Sequence, residues 1–243
     1  VLRQVPTFSL FRRSSSLSSH PTAQGVSLRG IGPSGVSRTL VLVGGGPVND
    51  PFGGRGYWTR GPLGSVDRSE ITEDPTSSLD GNYAMGGAIN IITTRPARRT
   101  VELKTQYGSQ KSPKFDFFAS DKWNALGVAV EGSFFDTDGF PIVAPRERGP
   151  IDNNANVDYR NVNVKLDYAQ PGRLNAFFRA GVFSEERGNG KIGEVNDTKW
   201  HTANGGVDVQ LPDNSNVEAR VFVDRQRAHF NFLAVTNAAP TRP

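Results

Sequence analysis

The sequence lacks cysteine altogether and contains few histidines, and both shortages restrict the chemistry that the chain can perform. With no cysteine among its 243 residues, disulfide bonds, thiol catalysis and thiolate metal sites are excluded. Its three histidines, His20, His201 and His229, are widely separated and lack the spacing of metal ligands. A G-x-S-x-G nucleophile motif is also missing. We therefore expect no catalytic residues, no metal and no cofactor, and we do not expect an enzyme.

Long apolar runs and clustered positive charge are lacking as well. The longest aliphatic runs, Leu40 to Val43 and Ile91-Ile92, are far shorter than the roughly 20 residues that a membrane-spanning helix needs. A β-barrel remains possible, because only every second residue of its strands faces lipid. The net charge is +4, and the only adjacent arginines are Arg12-Arg13 and Arg98-Arg99. Nucleic-acid binding requires a clustered basic face, so we do not expect it.

The most informative stretch runs from Asp80 to Thr94, with the sequence DGNYAMGGAINIITT. The glycine pair Gly86-Gly87 allows two backbones to approach closely, and the β-branched run that follows favours a strand. This stretch resembles the end of the plug domain of TonB-dependent outer-membrane receptors, where a YG…A-(I/M)-GG-x-INI-(I/V)-T pattern leads from plug to barrel. The resemblance implies that Gly86 and Gly87 lie at the plug–barrel junction.

Two earlier segments extend this resemblance. The segment from Leu40 to Asp50 is similar to the family pattern LVLVDG-(V/I)-P-(V/L)-ND, and that from Val66 to Gly81 is similar to (I/V)-E-(I/V)-x-(R)-G-P-x-S-x-L-YG. The positions that match in the second segment are Glu70, Pro75, Ser78, Leu79 and Gly81. The positions that depart from the two patterns include Gly44, Gly46, Ser69, Glu73 and Asp80. Whether these departures abolish the function of a plug is left open by the sequence.

A buried charge is also implied by the resemblance. The segment from Gly25 to Gly30 alternates and ends on Arg29-Gly30, and in the family the arginine of such a pair is buried in the plug. An unpaired internal charge costs several kcal/mol, so we predict a structural ion pair between Arg29 and Glu70. An exposed arginine at the end of a strand is the alternative.

The segment from Pro51 to Trp58 is expected to form an apical plug loop that faces the ligand side. The resemblance implies ligand binding by Asn49, Asp50, Tyr57 and Trp58, since the two aromatic rings could stack on sugar-like or macrocyclic ligands. Local packing of these aromatic rings is an equal alternative.

The glycine run Gly44-Gly45-Gly46 after a strand also resembles the phosphate-binding turn of nucleotide enzymes. Asn49 stands where that fingerprint needs glycine or alanine, and Pro51 with the glycines after it prevents the helix that would receive the pyrophosphate. We therefore do not expect a dinucleotide site.

From Arg98 onward, apolar and polar residues alternate with the period of two that is typical of strands. Val162, Val164 and Leu166, for example, alternate with Asn163 and Lys165. A soluble sandwich gives the same alternation as a membrane barrel, but the connections favour the barrel. Tight turns near 121–124, 170–173 and 212–216 alternate with long connections at 136–156 and 185–198. We predict roughly seven strands between about Arg98 and about Phe230, with both long connections at one end, as in outer-membrane barrels.

The sequence thus predicts a mainly β protein with two parts. Residues 1–97 are expected to form a small α+β plug domain, and residues 98–243 the antiparallel up-and-down strands of an incomplete transmembrane β-barrel. The resemblance implies a bacterial outer-membrane location, contact with outer-membrane lipid, and TonB-coupled uptake of a siderophore, cobalamin or carbohydrate. Seven strands cannot close a barrel of about 22 strands, and the segment that contacts TonB is not recognised, so we expect a fragment. A soluble, secreted β-rich binding module without catalysis is the alternative.

Overall fold

The computed structural model describes residues 2–12, 15, 17, 20, 24–31, 38–54, 56–61 and 64–233. The described residues form thirteen strands, one short α-helix (α1, Ser77–Asp80) and 3-10 turns at Leu2–Gln4, Trp58–Arg60 and Pro145–Glu147. The strands are β1 Phe8–Arg12, β2 Gln24–Leu28, β3 Leu40–Val43, β4 Gly46–Pro47, β5 Val66–Thr72, β6 Ala88–Thr93, β7 Thr100–Gly108, β8 Ser112–Trp123, β9 Leu126–Pro141, β10 Asn154–Gln170, β11 Leu174–Gly188, β12 Val195–Gln210 and β13 Asn216–His229. In this part of the chain no helix has the length and apolar character needed to cross a membrane.

The first six strands form two small sheets that share a core, and we call the described residues before Thr100 the plug. Strands β1 and β2 pair antiparallel, while the second sheet has the order β4-β3-β6-β5 with β3 parallel to β6. The two aliphatic runs of the sequence lie on β3 and β6, the central strands of that sheet. The core of the plug consists of Val26, Leu28, Val41, Val43, Val48 and Ile89.

The last seven strands form one antiparallel sheet, which we call the wall (residues 100–229). Each strand pairs with its neighbours in the sequence, in the order β13-β12-β11-β10-β9-β8-β7. Among the described residues β7 and β13 pair with no further strand, so the sheet does not close into a barrel. This arrangement confirms the predicted fold class of a mainly β protein with an incomplete up-and-down barrel.

The two faces of the wall differ in polarity, and the apolar one is exposed. Val164, Phe178 and Val221 lie on the outer face and are exposed, whereas Asn163 and Arg179 lie on the inner face and are buried. The plug covers the inner face, and no second sheet of the described residues covers the outer face. A soluble sandwich would bury its apolar face, so the exposed outer face favours the barrel over the soluble module.

The long connections of the wall lie at one end of its strands, as predicted. The connections 142–153 and 189–194 lie at one end and bond to each other, with Asn153 N donating to Gly190 O at 2.8 Å and Ile192 N donating to Ile151 O at 2.9 Å. The tight turns after β8, β10 and β12 lie at the opposite end. Both long connections are shorter than the sequence indicated, because β9 extends to Pro141 and β11 to Gly188.

Candidate functional site at the contact between plug and wall

Tyr57 is the plug aromatic residue that reaches the wall. Its side chain is 2 % exposed and packs edge-on against Trp200 and Phe183, with ring centroids 5.3 and 6.3 Å away. The hydroxyl lies 3.4 Å from Thr198 Oγ1. Burial raises the pKa of Tyr57 to about 12, so the phenol stays neutral. The ring is therefore buried against the wall, and neither ligand stacking nor packing within the loop describes it.

Arg60, at the end of the 3-10 turn Trp58–Arg60 that follows Tyr57, makes several contacts with the wall. Its guanidinium carbon lies 3.5 Å from the centroid of the Trp200 ring, and Nη2 lies 3.6 Å from Asp224 Oδ1. The Arg60 carbonyl also accepts a hydrogen bond from Asn161 Nδ2 at 2.7 Å. Burial lowers the pKa of Arg60 to about 10 and outweighs the opposing effect of Asp224. The side chain therefore remains a cation at neutral pH.

Thr59 adds a third polar contact from this turn. Its hydroxyl donates to Glu185 Oε2 at 3.3 Å, and Glu185 also accepts from Arg187 Nε at 2.8 Å. Both wall side chains are almost completely buried. Because each buried charge has an opposite charge beside it, the desolvation cost of the contact is offset.

Asn49 and Asp50 hold the plug loop in shape. Asn49 Oδ1 accepts from Val41 N at 2.8 Å, and Nδ2 donates to Gly54 O at 3.0 Å. Asp50 Oδ1 accepts from the backbone N–H groups of Phe52 and Gly53 at 2.9 and 2.7 Å. These bonds replace the backbone pairing that an irregular loop lacks.

The four residues predicted to bind ligand do not form one surface. Trp58 packs against the plug core, while Tyr57 faces the wall, and Asn49 and Asp50 are buried. Phe52 of the same loop is 90 % exposed, and the sequence analysis did not select it. A signal was present, since Phe52 lies between Pro51 and Gly53, where a large apolar side chain has little to pack against.

The predicted ion pair between Arg29 and Glu70 does not form. Arg29 Nη1 lies 3.4 Å from Asp74 Oδ1 at the protein surface, and Glu70 Oε1 pairs instead with Arg68 Nε at 2.9 Å. The prediction fails because β5 is an edge strand whose side chains are largely exposed. The alternative, an exposed arginine at the end of a strand, describes Arg29 correctly.

The glycine pair Gly86-Gly87 lies inside the plug and not at its junction with the wall. Gly87 has φ of +116°, and a Cβ there would come within 2.3 Å of Thr72 O. The chain passes from the plug to the wall later, between the end of β6 at Thr93 and the start of β7 at Thr100. The pair is thus needed for close backbone approach, as predicted from its composition, but the junction follows it.

The tip of the β3–β4 hairpin fits against wall side chains at the positions that depart from the family pattern. A Cβ on Gly44 would lie 2.3 Å from Arg179 Nη1, and one on Gly46 would lie 2.3 Å from Asn204 Nδ2. Arg179 Nη2 donates to Oε1 of Glu131, on β9, at 3.1 Å. The two glycines therefore make room for wall side chains.

A cavity of about 590 Å³ lies beside this contact, between Gly64-Ser65 of the plug and the inner faces of β7 to β10. Side chains of both charges line it, namely Glu102, Lys104, Lys114, Asp116 and Glu131. Within the described ranges no three metal-ligating side chains come together. On this wall the Ser133 hydroxyl donates to Asp116 Oδ1 at 2.6 Å. The cavity is suited to a polar solute.

Comparison with known proteins agrees with this arrangement of plug and wall. A family model of the TonB-dependent receptor plug domain matches residues 1–88. The chain belongs to the TonB-dependent receptor family. Family membership places it in the outer membrane, which agrees with the exposed apolar face of the wall.

The relatives of this receptor chain are transport receptors and outer-membrane proteins. It is 27 % identical over 136 residues to the vitamin B12 transporter BtuB of Vibrio vulnificus, a match that covers 55 % of this chain and 21 % of BtuB. It is 30 % identical over 181 residues to an iron-regulated outer membrane virulence protein of Vibrio cholerae, covering 68 % of this chain and 26 % of that protein.

A solved structure with the same fold is the ferric enterobactin receptor PfeA of Pseudomonas aeruginosa. It superimposes with a TM-score of 0.66 and 19 % identity, over 93 % of this chain and 37 % of PfeA. This likeness concerns the fold alone. The receptor chain spans about a quarter or less of the curated relatives and a little over a third of PfeA.

Proposed function

We propose that this chain forms the plug and the first wall strands of a receptor that takes up a nutrient across the outer membrane with energy coupled through TonB. In this proposal residues 1–97 make up the plug domain and residues 98–243 the barrel strands. The apolar outer face would contact outer-membrane lipid, and the polar inner face holds the plug. The observation that carries the proposal is the insertion of Tyr57 and Arg60 of the plug into that polar face.

The nutrient would belong to the class of siderophores, cobalamins or carbohydrates. The matched relatives include a vitamin B12 transporter and a ferric enterobactin receptor, which supports a bulky ligand of limited supply. The cavity of about 590 Å³ beside the plug falls in the range of roughly 300–1,000 Å³ that small-molecule sites occupy. Within the plug loop, Phe52 is the aromatic side chain free to contact such a ligand, since Tyr57 is buried.

A chimeric receptor tests this function. The 243 residues replace the matching part of PfeA in a Pseudomonas aeruginosa strain that lacks its own enterobactin receptors. Uptake of iron-55 is measured with ferric enterobactin and with ferric citrate, and uptake of labelled cyanocobalamin is measured separately. We expect the chimera to migrate as a heat-modifiable outer-membrane protein and to take up at least one probe in a TonB-dependent manner. The matched control is the same chimera in a strain without TonB. An assembled chimera that takes up no probe, or whose uptake is equal without TonB, would contradict the proposal.

A further inference from the structure

A second, much smaller cavity lies under the tip of the β3–β4 hairpin, where it meets β10, β11 and β12. Its volume is about 30 Å³, and its lining comes from the plug (Val43, Gly46, Arg60) and from the wall (Arg179, Asn204). A site for one water molecule needs about 10–15 Å³, whereas small-molecule sites are at least about 300 Å³. The cavity therefore suits an occupant the size of water.

Three buried polar atoms of this lining have no hydrogen-bond partner among the described residues. They are Arg60 Nη1, Arg179 Nη1 and Asn204 Oδ1, and the three residues are 7 %, 5 % and 6 % exposed. Buried polar atoms in folded proteins are nearly always paired with protein or with an ordered water. Three such atoms in one small cavity point to a shared partner.

The backbone places these side chains side by side. Arg179 and Asn204 are cross-strand neighbours on β11 and β12, and both project from the inner face. Trp200 lies four residues before Asn204 and therefore on the same face of β12. The Arg60 guanidinium stacks on the Trp200 ring. The plug cation and the two wall side chains thus line the same cavity.

We propose that this cavity binds one ordered water molecule that connects the plug to the wall. The water accepts hydrogen bonds from Arg60 Nη1 and Arg179 Nη1, and it donates one to Asn204 Oδ1. Two donors and one acceptor are the complement of a water molecule, and buried waters typically make about three hydrogen bonds.

A halide ion fits this cavity less well than water. Each guanidinium already has a carboxylate beside it, Asp224 at 3.6 Å from Arg60 and Glu131 at 3.1 Å from Arg179, so no net positive charge is left over. In addition, the carbonyl oxygen of Asn204 repels an anion. An anion would bind there only with the Asn204 amide reversed, so that Nδ2 faces the cavity. A bromide soak would detect such an anion.

A crystal structure of the full chain in detergent, at a resolution better than about 2 Å, tests the proposal directly. We expect a density peak within about 2.7–3.2 Å of Arg60 Nη1, Arg179 Nη1 and Asn204 Oδ1. A crystal soaked in bromide should show no anomalous peak there. An anomalous peak would assign the site to an anion, and a cavity without density would be dry; either result overturns the proposal.

A pair of variants tests the role of the acceptor. Asn204→Leu removes the oxygen at nearly constant volume, and Thr202→Val changes another lining residue while the three unpartnered atoms are retained. We expect the water peak to disappear and the thermal midpoint to fall in Asn204→Leu, with both retained in Thr202→Val. A peak that persists in Asn204→Leu, or equal falls in both variants, contradicts the proposal. Should Asn204→Leu fail to fold, the density of the unmodified chain decides the question alone.

Discussion

The guanidinium carbon of Arg60 lies 3.5 Å from the centroid of the Trp200 indole ring, and this contact joins the plug to the wall. Trp200 Nε1 donates to Asp224 Oδ1 at 3.1 Å, and the same carboxylate oxygen lies 3.6 Å from Arg60 Nη2. A cation on an aromatic face is attracted by the ring quadrupole, more strongly when both are removed from water. One plug residue is therefore held by a ring and a carboxylate on two adjacent wall strands.

Replacing Arg60 should strongly destabilise the protein. Arg60→Met leaves the Asp224 carboxylate beside the plug without its cation, and removing one partner of a buried ion pair costs about 3–5 kcal/mol. We expect a loss near the lower end, because Trp200 still donates to Asp224. Urea unfolding in detergent measures the change in the free energy of unfolding.

Arg68→Met is the matched control for that substitution. Arg68 pairs with Asp67 and Glu70 at the surface, where solvent screening leaves ion pairs with little effect on stability. Equal losses for the Arg60 and Arg68 variants would show that the contact between plug and wall adds nothing to stability.

Tyr57 should make the stability of the protein sensitive to alkaline pH. Its pKa is about 12 in the folded protein, raised by burial from an ordinary value of 10.0. The stabilisation of the neutral phenol is complete below pH 10, and it is lost as the pH rises through the folded-state pKa. Since one pKa unit corresponds to about 1.4 kcal/mol, the loss between pH 10 and 12 amounts to about 2–3 kcal/mol.

The comparison of unmodified protein with Tyr57→Phe isolates most of this effect, because the burial that lowers the pKa of Arg60 is present in both proteins. We expect the variant to be destabilised by less than about 1 kcal/mol at pH 8 and to overtake the unmodified protein between about pH 10 and 11. A stability difference that does not change with pH would contradict the assignment of a buried, neutral phenol.

A methyl group on Gly87 should disrupt the plug. The Cβ of Gly87→Ala would meet Thr72 O at 2.3 Å and Leu28 Cδ1 at 2.9 Å, at a φ of +116°. Strain and overpacking of this kind cost about 2–4 kcal/mol together, and the thermal midpoint should fall accordingly. Gly64→Ala, where a Cβ meets open space, should stay within about 0.5 kcal/mol of the parent. Similar midpoints for the two variants would refute the close approach at Gly87.

The apolar face of the wall should make the chain dependent on detergent. Val221 is 66 % exposed, and both β7 and β13 have one edge that pairs with no described strand. Open edges with exposed apolar side chains template association, so size-exclusion chromatography should show aggregates in plain buffer and a defined species in detergent. A sharp monomeric peak in plain buffer, with cooperative thermal unfolding, would mean that the apolar face is buried and would count against the outer-membrane location.

Sequence reasoning succeeded where structure depends on neighbouring residues. The alternation of Val162, Val164 and Leu166 with Asn163 and Lys165 predicted strand β10 and its two faces, because successive side chains of a strand point to opposite sides. The run from Ala88 to Thr93 likewise predicted β6 through its β-branched residues. One signal was overlooked: Tyr159 and Trp200 lie in the polar phase of their strands, and an aromatic there marks a place where the plug packs.

Contacts between residues far apart in the chain could not be predicted from the sequence. Arg60 and Trp200 are far apart in the sequence, and neither belongs to a pattern that would select the other. Arg29 was assigned the wrong carboxylate because the sequence does not reveal that β5 is an edge strand, which leaves Glu70 at the surface beside Arg68. Pairing of charges depends on burial, and burial depends on which elements pack together.

By itself, the sequence determined that the chain has seven long strands with one apolar and one polar face, preceded by a glycine-rich plug. Only the tertiary structure decided which face is covered. The plug occupies the polar face through Tyr57, Thr59 and Arg60, and the apolar face remains exposed. Alternation is a local property that a soluble sandwich and a membrane barrel share, whereas burial is a property of whatever lies against the sheet.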